Sequence, residues 1–226
     1  IIGCEIYVAT GSRFDKNQRP GGGWGNNHLI LLAQNSTGYK NLMKLVTAGY
    51  LEGFYYRPRI DKELLREYNE GLICLSGCLK GEVPEKMLNG DYEGARNAAI
   101  EYSKIFEDRY FLEIQNHGIP EEEANIQNMK KLSSDLGLPL VCTNDAHYCK
   151  QSHSEAHDIH ICLGTGKERS DPNRLRYATP EFYFKTQDEM HHLFKEFPQA
   201  IENTRRIADS IDLSCLLYTS DAADDA

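Results

Sequence analysis

The stretch PEEEANIQNMKKLSSDLGLPLVCTNDAHY, Pro120–Tyr148, decides the fold class. Its first part reads as a helix with acids in the first turn, lysines later and Gly137 at its end, in the sense that suits the helix dipole. LPLVCTND follows at once as a short apolar strand, so the segment is a helix feeding a strand. It closes on Asp145 and His147, two residues apart. Side chains two apart on an extended strand point the same way, which would bring two metal-competent groups together at a strand end. Asn-Asp is also a common turn pair, and on that reading His147 is simply an exposed neighbour.

The same alternation runs outward in both directions. IIGCEIYVAT is a strand, and GSRFDKNQRPGGGWGNN is a glycine-rich polar loop. HLILLAQN is a second strand. STGYKNLMKLVTAGYLEG opens on a Ser/Thr cap and reads as a helix, and DKELLREYN is a short helix capped by Asp61. GLICLSG is almost continuously apolar, as a strand covered on both faces should be. DYEGARNAAIEYSKIFED is a helix and RYFLEIQNH a strand. Beyond the quoted stretch, SHSEAHDIHICLGTG begins a helix, TPEFYFKTQDEMHHLFKEF holds an extended piece and then a helix, and Pro198 opens the last helix. Alternating strands and helices predict a mainly parallel sheet in an α/β fold, open or closed into a barrel. Functional residues of such folds gather at the C-terminal ends of strands.

Composition narrows the function. With 226 residues, 40% hydrophobic and 26% charged, the chain has the make-up of a globular protein with a sizeable core. No apolar run approaches the roughly 20 residues that span a bilayer. Twenty-five basic against 34 acidic residues give a net charge of -9, which argues against a surface that coats nucleic acid broadly but leaves room for a local site. The seven cysteines form no CxxC pair, and Cys74, Cys142 and Cys162 lie in buried-looking runs, which suits a reduced, cytoplasmic protein. IIGCEIYV reads as a strand already under way. The last residues, 214–226, depart from the helix before them, with Asp221, Asp224 and Asp225 and no basic residue, and are expected to be a non-native or disordered tail.

Metal-competent residues recur near the strands: Glu5 in GCEIYV, His28 at the head of HLILLAQN, Cys78 after GLICLSG, Glu113 and His117 in FLEIQNHG, then Asp145 and His147. A mixed nitrogen, oxygen and sulfur set suits zinc, and its carboxylates also accept manganese or iron. Metals held close together can activate water for phosphodiester displacement. Taken singly, Glu5 could be a solvent-facing strand residue, Cys78 a small buried hydrophobe and His117 a turn residue. His153, His157 and His160 share one helical face, but without HExxH they read as an ordinary helix. GTGK, Gly164–Lys167, is too short for a phosphate-binding Walker loop.

Together GCEIYV, NHLILLAQNSTGYKNLMKL, GLICLSGCLKGEVP, DRYFLEIQNHGIPEEE, LPLVCTNDAHY and YATPEFYFKTQDEM resemble the polymerase-and-histidinol-phosphatase (PHP) domain in the form carried by bacterial replicative, C-family DNA polymerases. The resemblance covers residues 1–213. It implies a distorted (βα)7 barrel whose cleft binds divalent metal, zinc or manganese, with Glu5, His28, Cys78, Asp145 and His147 as ligands. Asp145 and His147 would carry catalysis, with Asp145 bridging metals or orienting water, while Glu113 and His117 would support the ligands. The implied activity is metal-dependent 3′–5′ exonuclease, and members that have lost ligands serve as structural platforms.

The family's opening His-x-His strand, an Asp and a further His have no counterpart here, so the barrel is expected to be incomplete, to lack part of its metal cluster and to hold only the C-terminal two-thirds of the domain. The polymerase palm would lie beyond residue 213. The full-length protein implied is a template-directed DNA polymerase using magnesium, deoxynucleoside triphosphates and a DNA primer-template. Its implied partners are a sliding clamp, a clamp-loader subunit and a proofreading exonuclease subunit, with no membrane association. Two rival readings are a free-standing PHP metallophosphoesterase and a non-catalytic replisome scaffold.

Overall fold

The computed structural model describes residues 1–16 and 26–214. Most of the glycine-rich loop and the tail from Cys215 onward lie outside the described residues. The chain divides into two compact units, Ile1–Leu112 with the residues from Arg205 on, and Glu113–Thr204. The first holds β1 (Ile2–Ala9), β2 (Asn26–Ala33), α1 (Ser36–Leu51), β3 (Arg59–Ile60), α2 (Lys62–Glu67), β4 (Leu72–Leu75), α3 (Glu82–Leu88), α4 (Tyr92–Phe106) and the start of β5 (Tyr110–Ile114). The second holds the end of β5, α5 (Pro120–Leu136), β6 (Leu140–Cys142), α6 (Ser154–Thr165), α7 (Gln187–Leu193) and most of α8 (Pro198–Asp209). No helix among the described residues is long and apolar enough to cross a membrane.

The fold is α/β, with strand order β3-β1-β2-β4-β5-β6. Six strands are ordered among the described residues, against the seven of the implied barrel. β3 is parallel to β1 and β5 is parallel to β4, but β2 runs antiparallel to both of its neighbours. Alternating elements favour parallel neighbours only where a crossover helix joins them. The polar connection from β1 to β2 reads as no such helix, so the chain turns back on itself.

Burial follows the side-chain patterns. β2 alternates, with Asn27, Leu29, Leu31 and Ala33 inward, while β4 and β5 are buried along their whole length. α4 buries Ala95, Ala98, Ala99, Tyr102, Ile105 and Phe106, a stripe at helical spacing. Cys74, Cys142 and Cys162 are all buried. Asp61 caps α2 as expected, accepting from the Leu64 amide at 3.1 Å. The cap of α1 is Asn35, one residue before the Ser-Thr pair, and its side chain accepts from the Gly38 amide at 3.0 Å. α3 has no counterpart in the sequence reading, because it is short, carries Pro84 and has no side-chain cap.

In the second unit Gly137 ends α5 at φ 68°, a left-handed position that glycine adopts without strain. Ile126, Met129 and Leu132 give α5 its buried stripe. The extended piece read in TPEFYFK becomes a single parallel bridge, Tyr148 to Tyr183. Its backbone clamps the segment after β6. The His147 amide donates to the Phe182 carbonyl at 2.8 Å, and the Phe184 amide donates to the Tyr148 carbonyl at 2.9 Å.

Candidate metal centre

In the first unit three candidate ligands converge. Strand register sets Tyr7 opposite His28, and the Tyr7 ring meets the imidazole edge-on at 4.9 Å. Glu5, two residues back on the same face, reaches His28 Nδ1 with Oε1 at 2.8 Å. Cys78 arrives on the loop after β4, its Sγ 3.8 Å from the same nitrogen.

Two glycines let that loop close. Gly77 has φ +83°, and a Cβ there would lie 2.8 Å from the His28 carbonyl. A Cβ on Gly81 would lie 2.1 Å from the Ser76 carbonyl. The His28 amide donates to the Lys80 carbonyl at 3.0 Å, which fixes the loop against β2. Burial lowers the His28 pKa, but the hydrogen bonds and charges of Cys78 and Glu5 outweigh it and raise the ring to about 9.

Carboxylate, imidazole and thiol form a donor set that suits zinc, and the carboxylate also accepts manganese. Among the described residues no three or more His, Cys, Asp or Glu are grouped as a ready ion cage. Glu5 and Cys78 both turn to one ring nitrogen of His28, so the donor chemistry fits a metal while the side chains pair with one another.

In the second unit Asp145 and His147 also come together, on the loop that follows β6 and not through the pleat of a strand. β6 ends at Cys142, and Asp145 sits at φ +24°, a strained backbone for a non-glycine residue. His147 Nδ1 lies 2.9 Å from the Asp145 carbonyl and 3.7 Å from its Oδ1. A carbonyl can only accept, so in the neutral ring the hydrogen is on Nδ1 and the Nε2 lone pair stays available. The pair thus comes together on the loop after β6, without a strand.

Glu113 and His117 are buried behind this loop. Glu113 accepts from Gln115 Nε2 at 3.1 Å and from the Thr143 hydroxyl. His117 is 1% exposed, with Nδ1 2.7 Å from Glu122 Oε1 and Nε2 3.3 Å from the Asn144 carbonyl. Its amide donates to Glu122 Oε2 at 2.6 Å, and its ring stacks on Phe182 at 4.1 Å.

Sequence reasoning did not single out Glu122, because an acid in a first turn reads as dipole compensation. The available signal was its spacing, which puts it on the buried face with Asn125, Ile126 and Met129. His153 and His160 are exposed, and His157 turns its ring toward His147 at 5.8 Å. Gly166 of GTGK ends α6 in the left-handed conformation. That places it at the negative end of a helix, where a phosphate is not favoured.

The family model of the PHP domain matches residues 1–117. The DNA polymerase III subunit alpha of Borreliella burgdorferi is 48% identical over 212 residues, covering 94% of this chain and 18% of the relative. Its namesake in Treponema pallidum is 50% identical over 209 residues, covering 92% and 18%. That of Thermus aquaticus is 43% identical over 216 residues, covering 94% and 18%. The chain thus spans about a fifth of the length of these curated relatives. With its α/β sheet and with motifs that run in order along it, the chain belongs to the PHP domain family.

Proposed function

We propose that this chain is the PHP segment of the alpha subunit of a bacterial replicative DNA polymerase, and that it binds divalent metal and trims DNA from the 3′ end. One observation carries the metal-binding half of this reading: Glu5, His28 and Cys78, from three separate segments, gather at a single ring nitrogen. Near 50% identity to polymerase subunits across almost the whole chain supports the polymerase context and disfavours a free-standing phosphoesterase. Glu5, His28 and Cys78 would hold metal in the first unit, and Asp145 and His147 in the second. When bound, the metal supplies a water of lowered pKa and charge to steady a phosphodiester's oxygens.

The chain's own groups prepare for this. His147 presents Nε2 because its Nδ1 is committed to the Asp145 carbonyl. Asp145 would accept a proton or orient a water. Phe182 and the His117–Glu122 pair hold the loop that carries both residues. The full-length protein would act in the bacterial cytoplasm on DNA primer-template and deoxynucleoside triphosphates, with magnesium at its polymerase site. Its partners would be a sliding clamp, a clamp-loader subunit and a proofreading subunit.

The test uses the full-length protein from the source organism. Bound metal is measured by elemental analysis, and 3′–5′ degradation of a primer is followed for wild type, Asp145→Asn and His147→Ala. Loss of metal and of nuclease in both variants is the expected result. Metal-free protein, or nuclease activity that ignores both changes, would overturn the reading in favour of a structural scaffold.

A further inference from the structure

A cavity of about 470 Å³ opens in the second unit, lined by Tyr148, His157, Tyr177 and three arginines, Arg169, Arg174 and Arg176. It adjoins His147: the Tyr177 ring packs on that imidazole at 4.7 Å and the His157 ring at 5.8 Å. Two of the arginines are fixed. Arg174 donates two hydrogen bonds to Asp158, and Arg169 pairs with Glu155 at 2.9 Å and Asp158 at 3.4 Å. Arg176 is exposed and has no ion-pair partner among the described residues. Three guanidinium groups thus face two carboxylates already in use, which leaves one cation over on a wall that also carries the rings of Tyr148, His157 and Tyr177.

Small-molecule pockets run from about 300 to 1,000 Å³, so this space suits a ligand larger than a bare anion. Aromatic faces stack on nucleobases whatever their sequence. A guanidinium with no carboxylate of its own suits a phosphate, which it can grip with two parallel hydrogen bonds. We infer that this cavity seats the 3′-terminal nucleotide of a single DNA strand, its base against Tyr177 and Tyr148 and its phosphate on Arg176, beside His147. The inference rests on the nuclease reading for the choice of DNA and of the 3′ end. It adds where the strand end sits and why the site would read no base in particular.

Photo-crosslinking tests this in the full-length protein with chelator present, so that no cleavage is needed. The probe is a single-stranded oligonucleotide with 4-thiothymidine as its 3′-terminal nucleotide, and crosslinked peptides are mapped by mass spectrometry. Crosslinks within residues 148–180 are expected. Arg176→Ala should lower their yield about tenfold, as losing a charge-assisted contact does, and Arg176→Lys should restore part of it. Thymidine 5′-monophosphate should compete far better than inorganic phosphate.

Terminal-base crosslinks that map elsewhere would overturn the inference, as would yields indifferent to both Arg176→Ala and Tyr177→Leu. Phosphate competing as well as the nucleotide would overturn it too. An active nuclease whose crosslinks map elsewhere refutes the cavity alone. Crosslinks in the cavity of a protein with neither metal nor nuclease uphold the cavity and refute the nuclease.

Discussion

Replacing Glu122 by alanine should loosen the loop that carries Asp145 and His147. Both Glu122 oxygens are engaged by His117, one with its amide at 2.6 Å and one with its Nδ1 at 2.7 Å. His117 is 1% and the Glu122 side chain 5% exposed, so water does not readily replace the carboxylate. Each buried polar group left unpaired costs about 1–3 kcal/mol, and breaking one side of a buried pair costs about 3–5 kcal/mol. Two such groups, the amide and Nδ1, give roughly 2–6 kcal/mol, and a loss near 3 kcal/mol satisfies both ranges. At about 1.4 kcal/mol per factor of ten, that is roughly a hundredfold faster amide exchange wherever the pair limits opening. The amides to follow are those of residues 113–148, Thr143 among them, which bonds the Ile114 carbonyl at 3.1 Å.

Hydrogen exchange read by mass spectrometry on the full-length protein measures this without requiring two-state unfolding. Glu122→Gln, which keeps one acceptor, should lose about half as much. The double variant His117→Ala with Glu122→Ala should lose less than the two single losses combined, by about 1 kcal/mol or more. Exchange that rises less than threefold in Glu122→Ala, or strict additivity in the double variant, would refute the claim that this pair braces the loop.

Two further outcomes concern glycine positions and the His28 imidazole. Gly81→Ala sets a Cβ 2.1 Å from a backbone oxygen and should cost about 1–3 kcal/mol by overpacking. It should also weaken zinc uptake, read with a chromophoric chelator, whereas Gly164→Ala, with open space around it in α6, should stabilise by about 0.5–1 kcal/mol. In chelator-treated protein His28 titrates near 9 when folded and near its ordinary 6.5 when unfolded, so the folded state holds the proton more tightly. Its contribution is then complete below about pH 6.5 and is lost as pH rises through about 9, a slope in denaturant melts that His28→Gln should abolish.

What the sequence discloses here depends on whether a feature is local. β4 and β5 are legible because strands covered on both faces must be apolar throughout, and α5 because its acids, its stripe and Gly137 agree. The direction of β2 is not legible in its own residues, since an alternating strand reads the same either way. The meeting of Glu5 with His28 and Cys78 is set by a β-register and a glycine loop, neither visible as spacing, so only resemblance pointed to it. Glu122 stayed hidden because charge suggested one role and periodicity another.

A common offset links the candidates that follow strands. Cys78 stands three residues after the end of β4 at Leu75, His117 three after the end of β5 at Ile114, and Asp145 three after the end of β6 at Cys142. Functional residues in α/β folds collect just past the C-terminal ends of strands, so three different side chains occupy one structural position on three strands. His117 is closed in on both ring nitrogens, by Glu122 and by the Asn144 carbonyl. On this third strand the position instead braces the loop that carries Asp145. If Asp145 and His147 are the ligands proposed above, their placement should depend on Glu122 although it touches neither of them, because Glu122 holds the His117 that faces the Asn144 carbonyl.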